Sequence, residues 1–215
     1  CVLSDIQNMG YEVVLVSSGA IAVGRNKLNM TSKPDSMRMK QAAAAVGQCS
    51  LMYLYDKFFG DYDKTVAQIL LNAEDIEQEE KKENLINTFN ALLEMGVIPI
   101  VNENDSVSYK EIESEDRLFG DNDMLSAVVA VLCRARHLVI LSDIDGFYDH
   151  DPRLYPNAKL IEQIDTIDDS VYTLAGGAGS RRGTGGMRTK LQAAALATSQ
   201  GTDTIVTNGK HPEAL

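Results

Sequence analysis

A chain of 215 residues, 44% hydrophobic and 24% charged, is long enough to bury a core in one large domain or two small ones. Its 31 acidic residues outnumber the 20 basic ones, giving a formal charge of −11, and such a chain repels nucleic acid and anionic membrane surfaces unless a basic patch is set apart. No basic cluster exceeds a few residues, no apolar run reaches the ~20 residues that span a bilayer, and no signal peptide is visible.

The chain opens on CVLSDIQNMG, the last turns of a helix stopped by Gly10. Without an initial Met it reads as a fragment of a longer protein. EVVLV at 12–16 predicts a strand, followed by the small polar turn SSGA, where Ser18 and Gly19 open a helix. A long helix is expected over 36–59, a strand at VAQILL (66–71) and a single helix over 74–95, in which EDIEQEEKKEN forms a solvated face. VIPIV (97–101) is the third strand and is followed by NENDS. DMLSAVVAVLCRA (123–135) is a helix with Cys133 as a buried thiol. LVIL (138–141) precedes SDIDG, and DGFYDHDPRLYPNAKLIEQI (145–164) reads as a hairpin or irregular excursion with Phe147 and Tyr148 packed beneath it. A helix over 185–200 and the strand TIVT (204–207), followed by NGK, complete the chain.

Strand runs that are apolar throughout suit a parallel sheet covered on both faces. The expected architecture is α/β, a three-layer αβα sandwich with a mainly parallel central sheet, as one domain over 1–215. The cysteines Cys1, Cys49 and Cys133 lack C-x-x-C spacing, which fits free thiols in a reducing cytoplasm.

Polar, acidic or glycyl residues follow four of these strands, and ligands of open parallel sheets sit beyond the carboxyl ends of the strands. Asp105, Asp121, Asp123 and Asp143 supply oxygens there. GSRRGTGGMRTK at 179–190 adds four cations, and six of the chain's 16 glycines lie between Gly176 and Gly186. Taken alone this stretch is either a phosphate-holding loop or a flexible connector, since its lysine does not follow a glycine as in a P-loop. His137, His150 and His211 are scattered and form no zinc pattern, and no G-x-S-x-G elbow is present. Glycine-loop amides, a lysine and carboxylates favour phosphoryl transfer, with GTGGM at the start of a helix near Met187.

VSSGAIAVG at 16–24, AAAVGQ at 43–48, IVNENDSVS at 100–108, FGDNDMLSA at 119–127, LSDIDGFYDHDPR at 141–153 and GTGGMRTKLQAA at 183–194 resemble the amino acid kinase family, and within it the members that phosphorylate glutamate. The resemblance implies that ATP phosphorylates the γ-carboxylate of L-glutamate, the first step of proline biosynthesis, with Mg²⁺ present and proline as feedback inhibitor. It implies that Ser18, Asp105 and Asn122 hold the substrate, and that Asp123 orients the catalytic Lys190. Ser142, Asp143, Thr184, Gly185, Gly186, Met187, Arg188, Thr189 and Lys190 would bind ATP. A cytoplasmic homo-oligomer, dimer or tetramer, is expected, with no partner nucleic acid or membrane. Ser18 and Asp123 also fit as helix caps, and Asn102 and Glu103 as structural members of NEND. The family's first strand carries a second phosphate-facing lysine that has no counterpart here, and ESEDR at 113–117 adds length. The remaining alternatives are another kinase of the family, acting on acetylglutamate, carbamate or aspartate, or a non-catalytic module that senses ATP or an amino acid.

Overall fold

The computed structural model describes residues 1–107, 122–175 and 185–215. Thr184, Arg181, Arg182 and the ESEDR stretch lie outside the described residues. The chain divides into two compact units, Cys1–Asn122 and Asp123–Leu215.

In the first unit, α1 (Val2–Asn8) ends as expected at Gly10, whose φ of 96° turns the chain and whose N–H reaches Gln7 O at 2.9 Å. The strands β1 (Leu15–Val16), β2 (Val66–Leu71) and β3 (Ile98–Glu103) form a parallel sheet in the order β1-β3-β2. β2 pairs with β3 along its whole length, from Val66↔Ile98 to Leu71↔Glu103. EVVLV was expected to be a strand throughout, yet only Leu15 and Val16 pair, opposite Ile100 and Val101. Pro99 accounts for this. Ile98 N–H bonds Thr65 O on the β2 side, while Val101 O accepts from Ser17 N–H on the β1 side. Alternation along β3 therefore points Pro99 toward β1, and it has no N–H to give there.

The helices α2 (Ala20–Lys27) and α3 (Met37–Gly60) cross at backbone distance. A Cβ on Gly24 would stand 1.7 Å from Ala43 O, and one on Gly47 would stand 1.7 Å from Ala20 O. Val13, Phe59, Ile98 and Ile100 form the core of this unit. The single helix expected over 74–95 is two: α4 (Ala73–Glu77) and α5 (Glu79–Glu94) break at Gln78, whose ψ of 113° is extended. Glu77 to Lys81 are exposed, as the charge run implies.

α6 (Asn122–Leu132), whose first residue is the last of the first unit, leads in the second unit into β4 (His137–Ser142), which pairs in parallel with β5 (Asp203–Asn208) over six residues. α8 (Gly185–Ser199) matches the helix expected over 185–200. Ala127, Ala130, Ala193 and Ala197 pack on Leu138 and Ile140. Alanines there let both helices lie close to the strands. The other face of this sheet differs from the expectation of burial on both sides, because Val139, Leu141 and Ile205 are exposed. Cys133, expected to be buried, is half-buried. It follows α6, and the next residue, Arg134, turns with a φ of 50°.

The 145–164 stretch, expected as a hairpin or an irregular excursion, doubles back through an isolated antiparallel bridge between Tyr148 and Leu160, with Ile161 N–H reaching Phe147 O at 2.8 Å. Phe147 is buried with Val171, Ala175 and Leu191. The first two belong to α7 (Asp169–Ala175), a short helix the sequence reading missed. Asp168 caps it, accepting from Ser170 N–H at 2.9 Å, Ser170 Oγ at 2.6 Å and Val171 N–H at 3.2 Å.

Two outcomes follow from this packing. Gly47→Ala places a methyl against a backbone carbonyl that cannot swing aside, so it should cost about 3 kcal/mol, the upper end of ordinary overpacking. A lowered urea midpoint would register it, and an unchanged midpoint would contradict the close crossing. Asp168 is held below its ordinary value of 3.8, chiefly by the Ser170 hydroxyl and then by the Val171 N–H. A depressed carboxyl stabilises the fold above its unfolded pKa, and that contribution is lost as pH falls below about 4. Asp168→Asn can still cap α7 but cannot titrate. Its melting temperature should therefore fall less steeply between pH 5 and pH 2 than that of the unaltered protein.

Candidate active site

The candidate groups of the first unit sit at the carboxyl ends of its parallel strands. Ser17, directly after β1, is buried, and its hydroxyl meets Tyr55 Oη at 2.8 Å. Asn122 Nδ2 donates to Ser17 O, which brings one predicted substrate residue against the turn that carries another, the exposed Ser18. Gly19 makes the turn into α2 with a φ of 91°. The N-cap position of α2 belongs to Gly19, so among the described residues Ser18 does not serve as its cap.

After β3 the chain runs through Asn104 and Asp105. Asn104 N–H extends the ladder to Leu71 O at 2.9 Å, and Ser106 Oγ donates to Asn104 Oδ1 at 2.7 Å. Asp105 lines a cavity of about 290 Å³ together with Ala20, Gln48, Gln68, Glu103 and Cys49. Asn102 is 2% exposed and donates to Gln48 Oε1 at 2.9 Å, so the structural reading of that residue holds. Gln48, Gln68 and Tyr55 were missed as contributors. AAAVGQ marked the first of them by resemblance without assigning it a role, and nothing in the sequence marked the other two.

The second unit holds the charged pair. Asp123 lies in the first turn of α6, where a carboxylate suits the positive end of a helix. Lys190 Nζ approaches Asp123 Oδ2 at 2.7 Å, and the two side chains are 15% and 18% exposed. Thr189 Oγ1 lies 3.3 Å from the same oxygen and 3.0 Å from Gly186 O. The beginnings of α6 and α8 are thereby tied together by a charge-assisted bond. Met187 packs beneath them against the Phe147 cluster, whereas Arg188 is exposed. Gly185 opens the helix.

Ser142 and Asp143 follow β4. Ser142 Oγ lies 3.4 Å from Asp143 Oδ1, a long contact, and Arg153 Nη1 stands 3.6 Å from Asp143 Oδ2. Arg153 grips Asp151 more firmly, through Nε at 3.1 Å and Nη2 at 3.3 Å. Its side-chain bonds hold the Asp151 carboxyl below the usual range. The end of β5 is joined to the same rim: Gly209 N–H reaches Ser142 O at 2.9 Å, and Asn208 Nδ2 reaches Asp145 Oδ1 at 2.8 Å. Tyr148 Oη donates to Asp145 Oδ2 at 3.3 Å, and its hydroxyl is pushed up by desolvation and by that carboxylate. Neither Ser142 nor Asp143 bonds to Lys190 among the described residues. Asp145, Arg153 and Asn208 are rim members that the sequence reading did not select, although SDIDG and NGK marked their neighbourhood.

Comparison with known proteins accords with this geometry. Residues 2–208 match the sequence profile of the Amino acid kinase family. The chain is 58% identical over 214 residues to a glutamate 5-kinase of Clostridium perfringens (strain 13 / Type A), spanning all of this chain and 79% of the relative. A glutamate 5-kinase of Listeria monocytogenes serovar 1/2a is 50% identical over 211 residues, 98% of this chain and 76% of the relative. Among solved structures, an isopentenyl phosphate kinase of T. acidophilum aligns over 99% of this chain and 80% of its own, with a TM-score of 0.62 and 18% identity. E. coli aspartokinase III in complex with aspartate and ADP aligns over 90% of this chain and 42% of its own, with a TM-score of 0.57 and 19% identity. At such identities the structures show a shared fold alone. Parallel strands with polar carboxyl ends, the Asp123–Lys190 pair and a profile match over nearly the whole length lead to one conclusion: the chain belongs to the amino acid kinase family.

Proposed function

We propose that this chain, as one kinase domain, transfers the γ-phosphoryl group of ATP to the γ-carboxylate of L-glutamate, the step that opens proline biosynthesis. The observation that carries the proposal is 58% identity along the entire chain to a glutamate 5-kinase, with Lys190 held by Asp123 as such a reaction requires.

The first unit takes the acceptor. Asp105 receives the α-ammonium, while Ser18 and Asn122 fix the rest of the amino acid head. The second unit takes ATP through Ser142, Asp143 and the amides and side chains from Thr184 to Lys190. A γ-carboxylate oxygen attacks the γ-phosphorus, a P–O bond forms as the bond to the β-phosphate bridge breaks, and ADP leaves with the electron pair. Lys190 balances charge on the oxygens of the group in flight, and Asp123 keeps the lysine stem from sampling other rotamers. Mg²⁺, if bound together with ATP, would supply charge neutralisation to the phosphates. Among the described residues no group of three or more His, Cys, Asp or Glu could hold a metal ion.

The rest of the proposal places the enzyme in the cytoplasm as a homo-oligomer inhibited by proline. No described helix is long and apolar enough to cross a membrane. Tyr53, Leu54, Phe58 and Tyr62 are exposed along and just beyond α3, an apolar stripe that suits self-association.

An acceptor panel with ATP and the full-length protein tests the substrate. Misplacing a reacting oxygen by ~1 Å can cost ~100-fold, so L-glutamate should exceed L-aspartate and N-acetylglutamate, whose capped amine cannot form an ion pair with Asp105. Equal turnover of N-acetylglutamate would overturn the assignment. For the ion pair, Lys190→Ala should lower kcat at least ~100-fold, the scale of losing one preorganised charge donor. Asp123→Ala should cost a similar factor and the double variant little more, because groups acting as a unit are not additive. Fully additive losses in that cycle would reduce Asp123 to a helix cap.

A further inference from the structure

Three side-chain amides in the first unit form a chain whose direction is fixed at one end. A backbone N–H can only donate, and Glu103 N–H donates to Asn102 Oδ1 at 2.9 Å. The oxygen of Asn102 is thus committed, and its other end must be the NH₂ group, which donates to Gln48 Oε1 at 2.9 Å. Gln48 is oriented in turn, and its Nε2 donates to Gln68 Oε1 at 3.2 Å. Each amide passes its polarity to the next. Reversing any one of them would set NH₂ against NH₂ or oxygen against oxygen. The chain ends at Gln68 Nε2, which makes no hydrogen bond to another described residue.

Gln48 and Gln68 line the same cavity as Glu103 and Asp105. The carboxylates there suit an ammonium group. In an α-amino acid the ammonium and a carboxylate share one carbon, so a cavity that takes the first must offer a donor to the second. We propose that Gln68 is a specificity residue whose Nε2–H donates to the α-carboxylate of the substrate, and that Asn102 and Gln48 are positioning residues that keep a donor there instead of an oxygen. This rests on the reading that an amino acid is the phosphoryl acceptor. The α-carboxylate does not react, so the contact is equally strong in ground state and transition state and acts on KM rather than kcat.

The test uses conservative variants of the full-length enzyme. Gln68→Met keeps the length of the side chain and removes the donor. It should raise the KM for glutamate at least about 10-fold, the scale of one hydrogen bond to a charged group, with kcat within about twofold and the KM for ATP unchanged. Gln48→Glu keeps Gln68 but replaces the donor facing its oxygen by a second oxygen, so Gln68 turns over and presents Oε1 to the cavity. The same rise in KM is expected although Gln68 is intact, and Gln48→Glu combined with Gln68→Met should be no worse than Gln68→Met alone. An unchanged glutamate KM in Gln68→Met, an equal rise for ATP or additive losses would each overturn the proposal. Should Gln48→Glu fail to fold, Gln68→Met still decides, since its position on β2 is exposed. A wild-type enzyme that does not phosphorylate glutamate overturns the functional reading instead. The relay has its own readout, the Gln68 side-chain NH₂ resonance of ATP-free protein. That resonance should move when L-glutamate is added, and one that stays put sinks the proposal.

Discussion

The crossing of α2 and α3 sets the geometry of everything at the carboxyl end of the first sheet. Two helices meet there through glycine, each with its backbone against a carbonyl of the other, because any Cβ would stand 1.7 Å from that oxygen. Ala20, at the start of α2, and Ala44, Ala45, Gln48 and Cys49 on α3 line the cavity. The helix separation therefore fixes the width of the cavity as well as the stability of the pair. The SSGA turn hangs from the same helix start. Packing of this kind is rigid, since neither partner has a side chain that could change rotamer to absorb a displacement.

The second unit reaches a comparable result with charge instead of contact. Lysine is a flexible stem with a point charge, and a free one samples many rotamers. Asp123 is itself anchored in a helix turn and accepts from both Lys190 and Thr189, which are successive residues on α8. With both side chains less than a fifth exposed, solvent competes weakly for the pair. Alanines on α6 and α8 hold the two helices against β4 and β5, so the carboxylate and the ammonium start from fixed backbones. The rim beyond these strands is laced by side chains at the strand ends and in the turns, as in Asn208 to Asp145.

The existence of the described strands and of the longer helices was legible because each is a mainly apolar run or a long segment of helix-forming residues. What escaped was decided by partners remote in sequence or by single backbone groups. The shortness of β1 depends on a missing N–H at Pro99, more than 80 residues away. The break at Gln78 lies inside a charge run that favours helix on both sides, and composition does not mark it. α7 did carry a signal, Asp168-Asp169-Ser170 ahead of an apolar stretch, a cap signature masked by the long irregular segment before it. Asp123 and Lys190 were legible as a pair through the family's motif order. The resemblance covered Gln48 and Asn102 through AAAVGQ and IVNENDSVS but gave no sign of the amide chain, whose members lie 20 and 54 residues apart on three elements and have no shared local pattern.

Neutral amides in that chain answer a physical problem posed by the cavity itself. Glu103 and Asp105 make its wall acidic. A lysine or arginine at position 68 would supply a stronger donor for a carboxylate, but it would be drawn first to those acids. A cation roughly 4 Å from a carboxylate gains about 4 kcal/mol at an effective dielectric of about 20. Such a pair would close the cavity on itself and neutralise the group needed for the ammonium. An amide has no net charge to be captured. Its weakness is that it can turn end for end and present oxygen in place of NH₂. The relay from Glu103 N–H through Asn102 and Gln48 removes that freedom, because a backbone donor cannot reverse. One fixed backbone group thus sets the polarity of a donor three side chains away, without placing any new charge in an acidic pocket.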